Sequence, residues 1–516
     1  MSDNSSSNKR IAKNTLFLSI RMVIVLVINL FTTRIVLQAL GVEDYGVYNV
    51  VCGFVAMFGF LNTSMSNGIQ RFFNYEFGKN GEEGANKVYC TAIYIQATLA
   101  IVVVVLIEVF GLWYLHNKMV IPLDRMAAAE WIFQFSIIMF VLGIMQAPFS
   151  AAVTAHERMD FYALVSVLDA ILKFGIAYLI IIVSSDKLIV YGALMASISL
   201  INIIIYYIYC KKNFCEIRFK PVFDKSMFKS MLGFSGWNLF GSFSSVMSDQ
   251  GINLVLNFFF GPIVNAARGV ALQVNGAVHS FVSNISMPVR PQVTQSYAKG
   301  DLSRTMSLTY SVSKITCAIV LVLAIPASLE MNYLLHLWLG NNVPAHTVSF
   351  SIIILATSLV TNLNWATSGV VHATGIMRNY QVWGGLLRMS SVPIAYFLLK
   401  VYNIPELALI SVFACQSLAH LVGLFIVRNL VGMSIRDYFS KVILPIVFVL
   451  VTSSLILLGV HYLMQEGIVR LIIVSISSLI VVGVFFYYMG LNSMEKKMVI
   501  KLANSFFEKI KIKQKQ

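Results

Sequence analysis

Long apolar runs alternate with short polar stretches along the whole chain. Fourteen runs can be drawn, at 15–39, 46–69, 88–115, 131–155, 162–183, 189–210, 231–257, 264–288, 309–334, 348–371, 380–400, 407–427, 442–464 and 469–489. At 1.5 Å of rise per residue, each is long enough to cross a hydrocarbon core of about 30 Å as a helix. Barrel strands would instead alternate over about 10 residues. Composition agrees: 58% of the residues are hydrophobic, only 12% are charged, and the mean hydropathy is +0.78. The expected fold class is an all-α polytopic membrane protein with 14 transmembrane helices. The first apolar run follows a polar Met1–Asn14 stretch. It is too long for a signal-peptide core and lacks a small-residue cleavage site, so it reads as helix 1 with a cytoplasmic N-terminus.

Charge orients the runs. With the N-terminus inside, the inner segments hold 27 of the 38 Lys and Arg residues, and the outer loops hold Lys118, Arg125, Lys187, Lys400 and Arg470. Such a bias places both termini in the cytoplasm. It also explains the net charge of +15 without nucleic-acid binding. The longest inner polar loop, 211–230, carries six cations and follows helix 6. The chain therefore divides into a first lobe (1–210, helices 1–6), the loop, a second lobe (231–427, helices 7–12), helices 13–14 (428–489) and a basic tail (490–516).

A weak internal repeat appears at an offset of about 220 residues. Leu40-Gly41 matches Phe260-Gly261, Asn29 falls opposite Asp249, and RFFNYEFGKNGEE (71–83) falls opposite RPQVTQSYAKGDL (290–302). Parallel repeats enclosing a central cavity are a common transporter plan. In the tail, Met494, Met498, Leu502, Phe506 and Ile510 recur every four residues among seven lysines. This spacing suits a helix on an anionic inner leaflet, although a frayed basic tail has the same composition.

Six cations fall inside the apolar runs: Arg21, Arg34, Lys173, Arg268, Lys314 and Arg388. A cation at the bilayer centre costs roughly 2.5–3.5 kcal/mol on insertion scales, so each has a partner or a use. Lys314 is placed to snorkel to the inner interface. Arg21, Arg34 and Arg268 lie nearer helix ends than Lys173 and Arg388, which sit near the midplane. Asp169 precedes Lys173 by four residues and shares its helical face, so a self-neutralised pair is one reading. Arg388 has no local acid. Arg21 and Arg34 are 13 residues apart and face largely different directions. The clearly intramembrane acids are Asp169 and Asp249, so cations exceed acids and an anionic substrate is expected. Asp169, Asp249 and His279 are candidates for ion or proton coupling, with hydrogen-bonded packing as the alternative for His279 and His420.

Other chemistry finds little support. The six cysteines form no CxxC, so neither a metal site nor a disulfide framework is expected. The chain has no phosphate-binding glycine loop, zinc-protease motif or nucleophile elbow. We therefore expect neither an enzyme nor a bound cofactor. A glycan polymerase or ligase is disfavoured by the short outer loops. A multidrug or cation exporter of the same fold would need an acid-rich lumen.

Three stretches carry a family resemblance: TRIVLQALGVEDYGVYNVV (33–51), AHERMDFYALVSVLDAILK (155–173), and GWNLFGS with LNFFFGPIVNAARGVALQV (236–274) leading to RPQVTQSYAKGD (290–301). Together they resemble the bacterial polysaccharide (O-antigen type) flippases, within the superfamily of multidrug exporters and lipid II flippases. The resemblance implies a two-lobed, V-shaped bundle in the bacterial cytoplasmic membrane. It implies flipping of an undecaprenyl-diphosphate-linked oligosaccharide for surface polysaccharide or lipopolysaccharide biosynthesis. It implies that helices 1, 2, 7 and 8 line the cavity and that cations there meet the diphosphate. Arg21 and Arg268 are the positional matches, Lys173 and Arg388 join them on depth, and Arg34, in the outer third of helix 1, is a further candidate for the cationic lumen. Helices 13–14 resemble those that form a lipid-tail groove in lipid II flippases. The expected partners are the anionic lipid-linked glycan and membrane lipid, with a glycan polymerase or ligase as candidate associates of a monomer.

Overall fold

In a computed structural model, the protein is described over residues 2–496, apart from 157, 221–223, 287–292, 294–295, 298–299, 375 and 493–494. Among these residues, side chains are further left out at 2–20, 23, 63, 67, 71, 74–75, 78–79, 232–238, 284–286 and 365–366. The amphipathic pattern of the tail and much of the 290–302 stretch lie outside the described residues.

The described chain is helical with no strand. Backbone groups in lipid find no water, so each apolar run closes its hydrogen bonds internally. Among the described residues, eleven helices are long and apolar enough to cross a membrane. The first of them, Ile24–Ala56, contains a break at Gly41 that separates helix 1 (2–40) from the first part of helix 2 (42–56); a turn at Met57 and Phe58 precedes the second part (59–80). Helix 3 (82–117) follows a second break at Gly81. Then come helix 4 (Met126–Ala155), helix 5 (Met159–Ile182), helix 6 (Lys187–Asn213), helix 7 (Lys225–Phe260) and helix 8 (Pro262–Ser286). Helix 9 is Leu302–Leu329, with the short helix Met331–Leu339 after it, and helix 10 is Thr347–Thr374. Helix 11 has two parts, Arg378–Met389 and Ser391–Tyr402. Helix 12 (Glu406–Val431), helix 13 (Ile435–Leu463) and helix 14 (Ile468–Gly490) complete the fourteen. Among the described residues, helices 7 and 8 and the 59–80 part of helix 2 fall outside these spans.

The sequence repeat has a backbone counterpart. Gly41 and Gly261 adopt nearly the same conformation, φ 83°, ψ 169° and φ 75°, ψ −168°. Only glycine enters that region without strain. Gly81 and Gly300 also have positive φ. The chain thus turns at equivalent points in both halves.

The chain forms two compact units, one from 1–274, 335–354 and 378–419, the other from 275–334, 355–377 and 420–516. The first contains three of the apolar clusters. One gathers Phe73, Tyr89, Val153 and Tyr206. Another gathers Val47, Val51, Ile132 and Phe133. The third gathers Ile252, Leu256, Phe350 and Leu399. Small residues let helix 7 approach helix 11 within this unit. A Cβ at Gly385 would lie 2.5 Å from Ser244 Oγ, and one at Gly251 would lie 2.7 Å from Val392. Between these points Ser248 and Ser391 share a hydrogen bond of 2.8 Å.

Candidate functional site

Helix 5 presents Tyr162, Ser166, Asp169 and Lys173 at helical spacing, a polar stripe on one face. Lys173 Nζ meets Asp169 at 2.7 Å. Asn202 of helix 6 donates to the same carboxylate at 2.7 Å. Arg21 of helix 1 completes the group. Its Nη1 reaches Ser166 Oγ at 3.3 Å, its guanidinium lies 5.2 Å from the Tyr162 ring centroid, and its Nε is buried without a partner. Arg21 and Lys173 therefore meet the same face of helix 5.

The second half is arranged differently. Arg268 of helix 8 is 4% exposed and pairs with Asp249 of helix 7, also donating to the Asp249 carbonyl at 2.9 Å. The polar run of helix 7 thus supplies a counter-charge. Arg388 lies near the middle of helix 11, two residues before the interruption at Ser390. Among the described residues no carboxylate lies within ion-pair distance of it, and its Nε is buried without a hydrogen bond. A Cβ at Gly384 would lie 3.7 Å from Arg388 Nη2, so the guanidinium folds back over a glycine that offers it no side-chain partner.

The remaining predicted residues fall elsewhere. Arg34 donates to the Leu337 carbonyl at 3.4 Å and has no carboxylate partner among the described residues. His279 is exposed and has no hydrogen bond or ion pair there. His420 is 5% exposed, with Nε2 3.3 Å from Tyr438 Oη, which fits the packing alternative. Lys314 corrects an expectation. It does not snorkel but is 4% exposed, bonded to Glu495 at 2.7 Å and to the Gly490 carbonyl at 2.9 Å. Its acid lies 181 residues downstream, so no local spacing could reveal the pair.

Neutral amides add a feature that charge counting misses. Thr33 Oγ1 of helix 1 donates to Gln273 Oε1 of helix 8 at 2.5 Å, and Gln273 Nε2 donates to Tyr45 Oη of helix 2 at 3.2 Å. Asn253 of helix 7 donates to the Asn49 carbonyl of helix 2 at 3.3 Å, and Asn265 of helix 8 donates to Asn253 Oδ1 at 2.6 Å. Asn257 accepts from the Val120 amide at 2.9 Å and donates to the Val120 carbonyl at 3.1 Å. The Thr33, Tyr45 and Asn49 bonds join helices 1 and 2 to helices 7 and 8, Asn265 ties helix 8 to helix 7, and Asn257 ties helix 7 to the loop after helix 3. The available signal was Asn and Gln placed inside otherwise apolar runs. Arg125 bridges Asp44 (2.6 Å) and Asp186 (2.8 Å), while His346 meets Glu406 at 2.7 Å.

Among the described residues no cluster of His, Cys, Asp and Glu could hold a metal ion. The basic groups can hold an anion, and the polar helices 2, 7 and 8 can border water.

Comparison with known proteins follows from this geometry. The profile of a family described as polysaccharide biosynthesis protein matches residues 11–294, more than half of the chain. No curated protein matches the sequence. Among solved structures, the chain is similar to an inward-facing multidrug resistance MATE family transporter of the MOP superfamily. The TM-score is 0.65 at 12% identity, over 78% of this chain and 94% of that one. An outward-facing transporter of the same description gives 0.61 at 12% identity, over 81% and 96%. A MOP superfamily transporter from Pyrococcus furiosus, described as having a binding pocket of reverse polarity that suggests a different function, gives 0.60 at 13% identity, over 81% and 96%. At such identities the likeness establishes a shared fold.

Proposed function

Because the chain belongs to the polysaccharide biosynthesis protein family, we propose that it flips an undecaprenyl-diphosphate-linked oligosaccharide across the bacterial cytoplasmic membrane. A diphosphate head group cannot cross about 30 Å of hydrocarbon unaided. A cationic, water-filled path lowers that barrier, while the lipid tail stays in the bilayer. The product serves surface polysaccharide or lipopolysaccharide assembly. Both termini lie in the cytoplasm, and the protein acts without catalysis of its own.

Arg388 carries this reading. A guanidinium near the middle of a span, with no carboxylate within reach among the described residues, is a costly feature that an anionic head group offsets. Arg21 and Arg34 supply further charge without a carboxylate partner among the described residues. Lys173 and Arg268 contribute only as their pairs with Asp169 and Asp249 exchange partners, which makes those two acids the coupling candidates. The lobes 1–210 and 231–427 rock about this path. For release outside, the amide contacts of helices 1 and 2 with helices 7 and 8 part.

The test is surface glycan display in cells carrying Arg388→Ala or Arg21→Ala, with membrane abundance measured alongside. The expected result is roughly a 10- to 100-fold loss for Arg388→Ala, the size of a lost charge-assisted contact, with partial retention in Arg388→Lys. Normal display in both alanine variants at normal abundance overturns the cationic path.

A further inference from the structure

Two adjoining cavities open where helix 9 begins, the turn between helices 12 and 13 passes, and helix 14 ends. The larger is about 610 Å³ and the smaller about 440 Å³, and they share Gly432, Met433 and Ser434. In the proposed orientation, on which this inference rests, all three ends face the inner leaflet.

The wall of the larger cavity is one face of helix 9. Ser303, Ser307 and Ser311 follow one another at four-residue spacing, and Lys314 closes the row. Three hydroxyls in a row are out of place on a lipid-facing surface. The hydroxyls of Ser303 and Ser307 make no hydrogen bond among the described residues, whereas Ser311 donates to Glu495. The buried ammonium of Lys314 uses two of its three N–H groups, on Glu495 and Gly490. Where helices 13 and 14 border the cavity, both leave α-helical geometry for a π turn, Phe439–Ile443 and Phe486–Gly490. Such turns cluster at functional sites. The smaller cavity is lined by Arg428 and Arg436, both exposed and without a carboxylate partner among the described residues. Lys441 and Lys314, by contrast, are matched by Asp437 and Glu495.

We propose that these cavities form a binding site for an anionic phospholipid with a hydroxylated head group, such as phosphatidylglycerol. Arg428 and Arg436 hold the phosphate, and the serine row of helix 9 takes the glycerol hydroxyls. Basic pockets between spans at the cytoplasmic interface bind anionic head groups in this manner. The site is separate from Arg388 and binds a resident lipid rather than the transported one.

The test uses purified full-length protein in nanodiscs of phosphatidylglycerol, phosphatidylethanolamine or an equal mixture, with retained lipid counted by native mass spectrometry after extraction. Wild type is expected to retain phosphatidylglycerol selectively from the mixture. The Arg428→Ala/Arg436→Ala variant is expected to lose about 30-fold in affinity, the equivalent of about 2 kcal/mol. Ser307→Leu, which fills the cavity and leaves both arginines, is expected to lose the preference over phosphatidylethanolamine. Equal retention of the two lipids by wild type, or unchanged selectivity in the folded double variant, overturns the site. Full displacement of the lipid by millimolar inorganic phosphate also overturns it, because the site then reads phosphate alone. Lipid retention is measured without transport, so a failed flippase assay leaves this result standing.

Discussion

In the six-plus-six order expected from the sequence, helices 5 and 11 are counterparts, and each carries a cation near the middle of its apolar run. Four residues before Lys173 stands Asp169; four residues before Arg388 stands Gly384. That one difference changes the physics of each site. In helix 5 the ammonium and carboxylate close on each other at 2.7 Å, and Asn202 fixes the acid from helix 6. In helix 11 no such acid exists, and Ser244 of helix 7 occupies the space beside Gly385. Helix 5 runs unbroken from Met159 to Ile182, whereas helix 11 is interrupted at Ser390, two residues after its cation. A self-neutralised charge suits a structural role, and an unmatched one suits a ligand.

The comparison breaks most sharply if helix 11 is given the acid of helix 5. Gly384→Asp should place a carboxylate beside Arg388 and reduce glycan display roughly 10- to 100-fold. Membrane abundance should be preserved, and display should recover in part when Arg388 is also replaced by Lys and Gly384 is restored. Undiminished display in Gly384→Asp would falsify the distinction between the two cations.

The converse change sharpens it. Asp169→Ala leaves Lys173 uncompensated and deprives Asn202 of its acceptor. A fully buried pair would cost about 3–5 kcal/mol to break in this way; both partners are partly exposed, so about 1–3 kcal/mol of stability is expected. The double variant Asp169→Ala/Lys173→Met should regain most of it in thermal unfolding in detergent. A double variant no more stable than the single one would mean that the pair is not self-contained.

The smallest effect sets the baseline for reading either acid. Burial acts to raise the pKa of Asp186, but hydrogen bonds from Arg125 and from the Ile189 and Leu188 amides outweigh it and hold the carboxyl below its ordinary value of 3.8. Its contribution is present above that value and disappears as pH falls through the lower folded value. The thermal midpoint should therefore be insensitive to this group between pH 5 and 7 and decline below about pH 4. Asp186→Asn should flatten that decline. An unchanged acid limb would assign it to other carboxylates.

The fourteen helices were legible because lipid imposes one length and one polarity on every span. The Lys173–Asp169 pair was legible because both members share one helix at a fixed spacing. Gly41 and Gly261 were legible as repeat marks, since a turn after a span needs a residue free to take positive φ. Arg268–Asp249 was not, because its members lie on different helices and meet only through packing. Lys314 misled for the same reason: its depth matched a snorkelling residue, and its partner lies beyond helix 14. The interruption at Ser390 did have a signal, Pro393, which removes the hydrogen bond to the Met389 carbonyl and crowds it, but an apolar run shows only its length. The amide bonds among helices 1, 2, 7 and 8 were hidden by residues that carry no charge to count.

Those amide bonds have a consequence for energy supply. Thr33, Tyr45, Asn49, Asn253, Asn257, Asn265 and Gln273 carry no net charge near neutral pH. A membrane voltage does work only on moving charge, and a proton gradient acts only on groups that titrate. Neither acts on these bonds directly. If they close the outer side, as proposed, the driving force acts on charged groups elsewhere, such as the Arg268–Asp249 pair or the Arg125 bridge, and reaches the amides as a mechanical strain.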